Sequence, residues 1–230
     1  DWKGELIYPQ EKLNEMICEY HKRGNQVVIH GNGDGAIESI LQAFELAQEQ
    51  FPREDPRHML IHCQMASDDH IEQMKRLGVI PSYFINHVYY WGDRHKKLFL
   101  GPERAARINP LGSSKRAGLT YTMHTDFPVT PYDPWRTLHT AVNRETSGDK
   151  VLGEAECLTA EEALRGYTLY AAMCSFEENI KGSLEVGKLA DFAIISDNLL
   201  TMNPREIKDV QVLQTVVGGR TVYEQTLSGS

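Results

Sequence analysis

A short apolar run that stops at a histidine is the feature that most limits how this chain can fold. In "QVVIHGNGDGA", residues 26–36, Val27 to Ile29 are typical of a strand covered on both faces, and glycines follow His30 immediately. From Ala36 to about Glu49 the apolar residues recur with helical spacing. The segment therefore predicts a strand-loop-helix unit with His30 at the end of the strand, where α/β folds bind ligands.

The same pattern recurs further along the chain. A second apolar run, Met59 to Ile61, ends at His62, a third strand is expected within Val79 to Ile85, and a fourth in "LTYTMHTDFPV" carries Asp126 at its end. His62 follows His30 by 32 residues and precedes Asp126 by 64, which matches one and then two βα repeats of about 30 residues. Because right-handed crossovers make such strands parallel, we expect the three side chains to meet at one rim.

The remaining segments complete a predicted two-part organisation. The longest irregular stretch is expected between the third and fourth strands, and Thr159 with Glu162 forms the pattern of a capping box. After residue 176 the composition changes to short strands with glycine-containing turns, of which Gly218-Gly219 predicts a hairpin. We expect an α/β part over residues 1–176 and a small β module over residues 177–230. Further helices are predicted over residues 11–23, after Ser67, in "DPWRTLHTAVNRE" and in "LTAEEALRGYTLYAAMCSF".

Composition narrows the functional classes. The formal net charge is -8, with no stripe of Lys and Arg, which argues against a nucleic-acid surface. The longest apolar runs are far below the roughly 18 residues that a membrane span needs. The four cysteines have no CxxC spacing, which disfavours structural zinc and predicts a reducing cytoplasm. The first residue is Asp1, and a helix-like segment follows closely, so we expect a longer protein of which this is the later part.

Two imidazoles and a carboxylate are the ligands that a catalytic zinc prefers, and three protein ligands leave one position for water. Such a metal lowers the pKa of its water to about 7, and Asp126 is placed to accept the proton. Each residue also has a structural alternative. His30 and His62 can be ordinary hydrogen-bonded residues at strand ends, and Asp126 can stabilise a turn before its two prolines.

Asp34 and His124 are weaker candidates for the same site. Asp34 can orient a metal-ligating histidine by accepting a hydrogen bond from its other ring nitrogen, or it can cap the helix that begins near Ala36. His124 lies two residues before Asp126, so on an extended strand the two side chains share a face. The alternative for His124 is a histidine packed inside a barrel layer.

An aromatic segment follows the third strand. His87, Tyr89, Tyr90 and Trp91 can line a pocket for a small apolar or aromatic substrate, or they can belong to a packed loop. The other histidines lie in charged or helical patterns typical of a surface and are assigned no role; they are His21, His58, His70, His95 and His139.

Several motifs together resemble the amidohydrolase superfamily, and in particular amidohydrolase family 3, which includes N-substituted formamide deformylases. They are "IHGNGDGAI", "LIHCQ", "HTDFPVTPYDPW", "LTAEEALRGYT" and "KGSLEVGKLADF". The resemblance implies strands five to eight of a (β/α)8 metallohydrolase barrel, followed by strands of a β-sandwich. It makes His30 the fifth-strand and His62 the sixth-strand metal ligand, and Asp126 the eighth-strand aspartate that binds metal and handles protons. The chain departs from the family pattern at "HTDFPV", where Gly-Ser-Asp is more usual, and at Ile61, where many relatives carry an acid.

The resemblance also implies ligands that this chain lacks. The family's His-x-His pair does not occur in the sequence, so we expect the chain alone to bind zinc or another divalent metal weakly and to show no appreciable turnover. Half a barrel has unpaired strand edges, which favour a homo-oligomer. The predicted function is hydrolysis of a C–N bond in a small amide or formamide. The alternatives are a non-catalytic domain for folding or association, and a metal-dependent isomerase or lyase on the same scaffold.

Overall fold

A computed structural model describes residues 5–226 and contains the four predicted parallel strands in one sheet. The strands lie side by side in chain order, so their carboxyl ends meet at one edge, as the repeat spacing predicts. The α/β prediction is confirmed. The strands are β1 (Val28–Gly31), β2 (Met59–His62), β3 (Ile80–Tyr83) and β4 (Thr122–Met123).

Helices cover one face of this sheet in the first two repeats. Helix α1 (Gln10–Lys22) packs on α2 (Asp34–Gln50), which connects β1 to β2, and α3 (Asp68–Leu77) connects β2 to β3. The apolar stripe of α2 is fully buried, so packing of this face stabilises the helix. Helix α3 begins with a capping box at Ser67 and ends at Gly78, which has the left-handed backbone typical of a helix C-terminus.

The prediction of a long irregular stretch between β3 and β4 is wrong. This segment is mostly helical, but Gly101-Pro102 and Asn109-Pro110 divide it into pieces too short to show a sustained helical period. Several of its apolar residues, among them Val88 and Ile108, are fully buried, and tertiary packing rather than local propensity therefore holds the short helices. The pieces are α4 (Asn86–Arg94), a π-helical turn (His95–Phe99), α5 (Gly101–Ala106) and α6 (Leu111–Ala117).

After β4 the chain returns through α7 (Pro134–Asn143), whose first turn is capped by Asp133. The next predicted helix is divided into α8 (Ala160–Tyr167) and α9 (Leu169–Cys174). The capping box of Thr159 and Glu162 at the start of α8 is confirmed. The break falls at Thr168, whose hydroxyl donates to the Leu164 carbonyl and competes with the backbone pattern of a continuous helix.

The C-terminal module is a three-stranded antiparallel sheet. Strands β5 (Phe192–Ile195), β6 (Val212–Val217) and β7 (Arg220–Glu224) lie in chain order. The hairpin between β6 and β7 is confirmed: Gly218 and Gly219 have φ values of 57° and 74°, the positive pair that a tight hairpin turn requires. The glycine-containing segment "KGSLEVGKLAD" forms turns that lead into β5.

Three histidines predicted on a surface pattern are instead buried. His21, His58 and His139 are each at most 2 % exposed, because α1, the approach to β2 and α7 all press against neighbouring elements there. All four cysteines are free thiols. Among residues 5–226, no helix has the length and apolar character needed to cross a membrane.

Candidate metal centre

Histidine and aspartate side chains from three of the four parallel strands converge at the carboxyl edge of the sheet. His30 lies in β1, His62 ends β2, and His124 and Asp126 follow β4. The ring of His62 is central, since its centroid lies 4.4 Å from that of His30 and 4.9 Å from that of His124. The structure therefore brings together the three residues that the strand spacing singles out, and with them His124, which the sequence offers only as a weaker candidate.

Unusual backbone conformations form this arrangement. His62 has a φ of 78° and Asp126 a φ of 53°, both in the left-handed region that non-glycine residues rarely occupy. His62 pairs in register with Gly31 rather than with His30, so a regular strand would turn their side chains to opposite faces. Leaving the extended conformation allows the His62 ring to contact that of His30. Such strain gathers at functional sites.

His62, His124 and Asp126 form a set of donors suited to a divalent metal. One ligand atom from each lies within 4.8 Å of the others. Zinc ligands bind at about 2.0–2.2 Å, so atoms sharing one ion are at most about 4.4 Å apart and only a small adjustment is needed. Nδ1 of His62 and Nε2 of His124 are buried without a hydrogen-bond partner in the described part of the chain. Ser82 Oγ lies 3.2 Å from Nδ1 of His124 and orients this ring.

The electrostatics keep these imidazoles neutral. Burial, helped by the nearby His62 ring and opposed by the Asp126 carboxylate, lowers the pKa of His124 from 6.5 to about 4. Burial and the neighbouring His30 likewise lower the pKa of His62. Neutral imidazole is the form that binds a metal ion. The donor types, their separation and their protonation state all fit a divalent metal.

This geometry predicts the effect of removing His124. We expect His124→Ala to weaken Zn²⁺ binding at least about tenfold, since losing a donor costs no less than losing the group that orients one. Calorimetric titration of the metal-free protein with Zn²⁺ measures the affinity. His70→Ala, at the start of α3, is the control and should bind as the unsubstituted chain does. An unchanged affinity in His124→Ala would remove His124 from the donor set.

A cavity of about 380 Å³ opens in front of the donors. Phe84, Trp91, Phe99 and Val129 supply its apolar wall. The Phe84 ring also stacks on His124, with an angle of 16° between the planes and 5.4 Å between the centroids. The cavity thus places an aromatic surface directly beside the donor cluster.

The aromatic segment after β3 is only partly in this cavity. His87 and Trp91 line it, and both belong to α4 rather than to a loop. Burial lowers the pKa of His87 to about 3, with the neighbouring His62 and His95 rings acting in the same direction. Tyr89 instead lies under the guanidinium group of Arg136, at 4.6 Å, and Tyr90 is exposed.

Asp34 lies outside the cavity lining. Its carboxylate accepts a hydrogen bond from the backbone N–H of Gly35, and Gly33 rather than Asp34 occupies the N-cap of α2. The expectation that Asp34 caps this helix is therefore wrong. Its carboxylate is still near the positive end of the helix dipole. That Asp34 orients a metal-ligating histidine stays a prediction.

Three polar residues that line the cavity, Asn32, Gln64 and His95, were not predicted from the sequence. Asn32 donates through Nδ2 to Oε1 of Gln64 at 2.9 Å, and the amide nitrogen of Gln64 lies 3.0 Å from Nε2 of His95. His95 belongs to the π-helical turn, an irregularity frequent at functional sites. A signal was present in the sequence: Asn32 and Gln64 each stand two residues after the histidine that follows an apolar run, His30 and His62 respectively.

This is an α/β protein with a parallel sheet and a cluster of histidine and aspartate side chains at the carboxyl edge of that sheet. Its sequence matches the amidohydrolase family over residues 3–223, and the chain belongs to that family. It is 29% identical over 223 residues to an N-substituted formamide deformylase from Arthrobacter pascens, and 28% identical over 231 residues to a putative amidohydrolase, YtcJ, from Bacillus subtilis (strain 168). Each alignment covers 97% of this chain but only 41% and 42% of the relative. The chain spans about two fifths of their length.

Solved structures agree with this assignment. An uncharacterized metal-dependent hydrolase from Pyrococcus horikoshii OT3 is 26% identical with a TM-score of 0.73, over 89% of this chain and 40% of its own. Another such hydrolase, from Pyrococcus furiosus, is 28% identical with a TM-score of 0.66, over 81% of this chain and 36% of its own. An adenosine deaminase from Xanthomonas campestris with bound Zn has the same fold. It is 18% identical with a TM-score of 0.67, over 94% of this chain and 49% of its own.

Proposed function

We propose that this chain is part of a metal-dependent hydrolase that cleaves a C–N bond of a small amide or formamide with activated water. The observation that carries the proposal is the convergence of His62, His124 and Asp126 at one edge of a parallel sheet in a chain of the amidohydrolase family. In this proposal β1 to β4 are strands five to eight of a (β/α)8 barrel within residues 1–176. Residues 177–230 then belong to a β-sandwich.

Each side chain has a distinct task in this proposal. A bound divalent metal, with zinc as the first choice, would supply a Lewis acid that polarises a carbonyl and makes water more acidic. His62 and His124 would hold it as neutral donors, with His30 beside them. The Asp126 carboxylate accepts the proton from water and delivers it to the leaving nitrogen, which must be protonated to depart as an amine.

The cavity supports a small organic substrate. Its volume of about 380 Å³ and its wall of Phe84, Trp91 and Phe99 suit a substrate with an apolar substituent. An N-substituted formamide, the substrate class in the name of the Arthrobacter pascens relative, combines a small carbonyl with such a substituent.

Metal removal tests the proposed function. In a full-length protein containing this chain, we expect dialysis against a chelator to abolish hydrolysis of an N-substituted formamide, and Zn²⁺ to restore it. Released amine measures the rate. Solvent oxygen should appear in the acid product, which separates hydrolysis from an isomerase or lyase reaction. Activity that survives complete metal removal would contradict the proposal.

The 230-residue chain by itself should behave differently. With half of the proposed metal shell supplied elsewhere, we expect weak zinc binding and no measurable turnover. Tight stoichiometric zinc with normal activity would contradict the assignment to half a barrel. Val28 on the edge strand β1 is 56% exposed, and β7 is exposed along its length. These edges support the proposal that the isolated chain self-associates. If light scattering shows a stable monomer at high concentration, that proposal is contradicted.

A further inference from the structure

We propose that Asn86 and Thr130 form a clamp that holds Asp126 in the orientation required by the metal centre. The inference rests on the proposed function, because it assigns a task to residues that do not themselves reach the donor cluster. The clamp, defined as the side chains of Asn86 and Thr130, connects the start of α4 to the loop between β4 and α7. Both are therefore positioning residues.

The first observation concerns the backbone on either side of Asp126. The carbonyl of Thr125 accepts a hydrogen bond from the Thr130 hydroxyl at 2.5 Å. The carbonyl of Asp126 accepts from the backbone N–H of Val129 at 2.7 Å. Both peptide planes that flank the Asp126 Cα are thereby fixed, and with them the left-handed φ of 53°.

The second observation concerns the direction of the hydrogen bonds. Because the Thr130 hydroxyl gives its proton to Thr125, its oxygen can accept from Nδ2 of Asn86 at 3.2 Å. The same amide nitrogen donates to the Thr137 hydroxyl at 3.3 Å, and that hydroxyl donates to the Asp133 carbonyl at 3.0 Å. Both hydroxyls are already donors, so only the amide nitrogen, and not the amide oxygen, can face them.

Burial makes this network rigid. Asn86, Thr130 and Thr137 are each at most 1 % exposed, so water does not compete for their hydrogen bonds. The outer part of the same loop is open, since Phe127 and Val129 are 68% and 59% exposed. The loop is consequently anchored at the clamp and not by the packing of its tip.

The clamp is needed because Asp126 has little other support. Within residues 5–226 its carboxylate makes no hydrogen bond or ion pair, which leaves it available to a metal or a proton. A left-handed aspartate persists only when its surroundings determine its conformation. Without the Thr130 hydroxyl, we expect the backbone at Asp126 to relax and its carboxylate to move away from His62 and His124.

The test compares Zn²⁺ affinity in matched variants of the 230-residue chain. Thr130→Val removes the hydroxyl at nearly constant volume, and we expect about tenfold weaker Zn²⁺ binding. Thr130→Ser keeps the hydroxyl and should retain the original affinity. Thr140→Val is the matched control, because this buried threonine of α7 donates within its own helix to the Arg136 carbonyl. It should lower thermal stability without changing affinity.

Calorimetry with Zn²⁺ alone gives the affinities, and circular dichroism verifies folding. Equal affinities for Thr130→Val and the unsubstituted chain would overturn the clamp while leaving the proposed function standing. Absence of Zn²⁺ binding in the unsubstituted chain would overturn both. If Thr130→Val does not fold, Asn86→Ala replaces it. This change removes the amide that donates to the Thr130 hydroxyl, so we expect weaker Zn²⁺ binding, and unchanged affinity would overturn the clamp.

Discussion

Asp126→Asn is expected to lower the rate of amide hydrolysis at least about 100-fold and to leave the fold intact, because general acid-base catalysis contributes about 10²–10⁴ and asparagine cannot accept the proton. Asparagine has nearly the same size and tolerates a positive φ as aspartate does. The Asp126 carboxylate makes no hydrogen bond in the described part of the chain. Little stability therefore depends on its charge.

The measurement is kcat/KM for an N-substituted formamide in the full-length protein, with far-UV circular dichroism of each variant. Asp69→Asn is the matched control, since this exposed carboxylate lies in the first turn of α3, away from the cavity. Its kcat/KM should stay within a factor of about two. Full activity in Asp126→Asn would support the alternative of a chain retained for folding or association.

Much of the sheet was predictable because its signal is local. The runs ending at His30 and His62 are apolar on both faces and are followed within two residues by glycine or a polar residue, which few structures other than a covered parallel strand require. The short helices between β3 and β4 gave no such signal. Ile108, for example, is fully buried only because the sheet and its neighbouring helices surround it. No period in the sequence specifies that contact.

The site was predictable to the level of strand ends and no further. The repeat spacing placed His30, His62 and Asp126 at one rim, but the distances within the cluster depend on the left-handed backbone at His62 and Asp126. Side chains that satisfy distant groups were also missed. Arg144 is fully buried and donates to the carbonyls of Leu152, Asn109 and Ile108, partners that only the folded chain brings together.

The two buried histidines at the base of the sheet form a chain of hydrogen bonds with a defined direction. The Val27 N–H donates to Nδ1 of His58 at 2.9 Å, so the proton of His58 is on Nε2. That proton points at Nδ1 of His21, 2.8 Å away, and His21 Nε2 in turn donates to the Phe51 carbonyl at 2.7 Å. All four ring nitrogens are satisfied only while both rings are neutral.

This chain of hydrogen bonds makes the protein sensitive to acid. Burial lowers the pKa of His58 from 6.5 to about 3, and the neighbouring His21 and Arg53 act in the same direction. The unfolded chain therefore takes up a proton near pH 6.5, while the folded chain takes it up only near pH 3. The contribution of neutral His58 to the free energy of unfolding is therefore complete above pH 6.5. It is lost as the pH falls toward 3, at about 1.4 kcal/mol per pH unit.

We therefore expect the free energy of unfolding to fall by about 2 kcal/mol between pH 7 and pH 5 from His58 alone. Urea unfolding in the presence of a chelator measures it, and the other histidines with lowered pKa values add to the same slope.

His58→Leu should be less stable at pH 7, because Val27 and His21 lose their partner, yet its stability should fall less steeply with acid. Phe44→Leu is the matched control: it loses the ring that stacks on His58 at 4.7 Å but keeps the titrating pair. Its stability should be lower at every pH with an unchanged slope, and a slope in His58→Leu as steep as in Phe44→Leu would show that His58 is not the group being titrated.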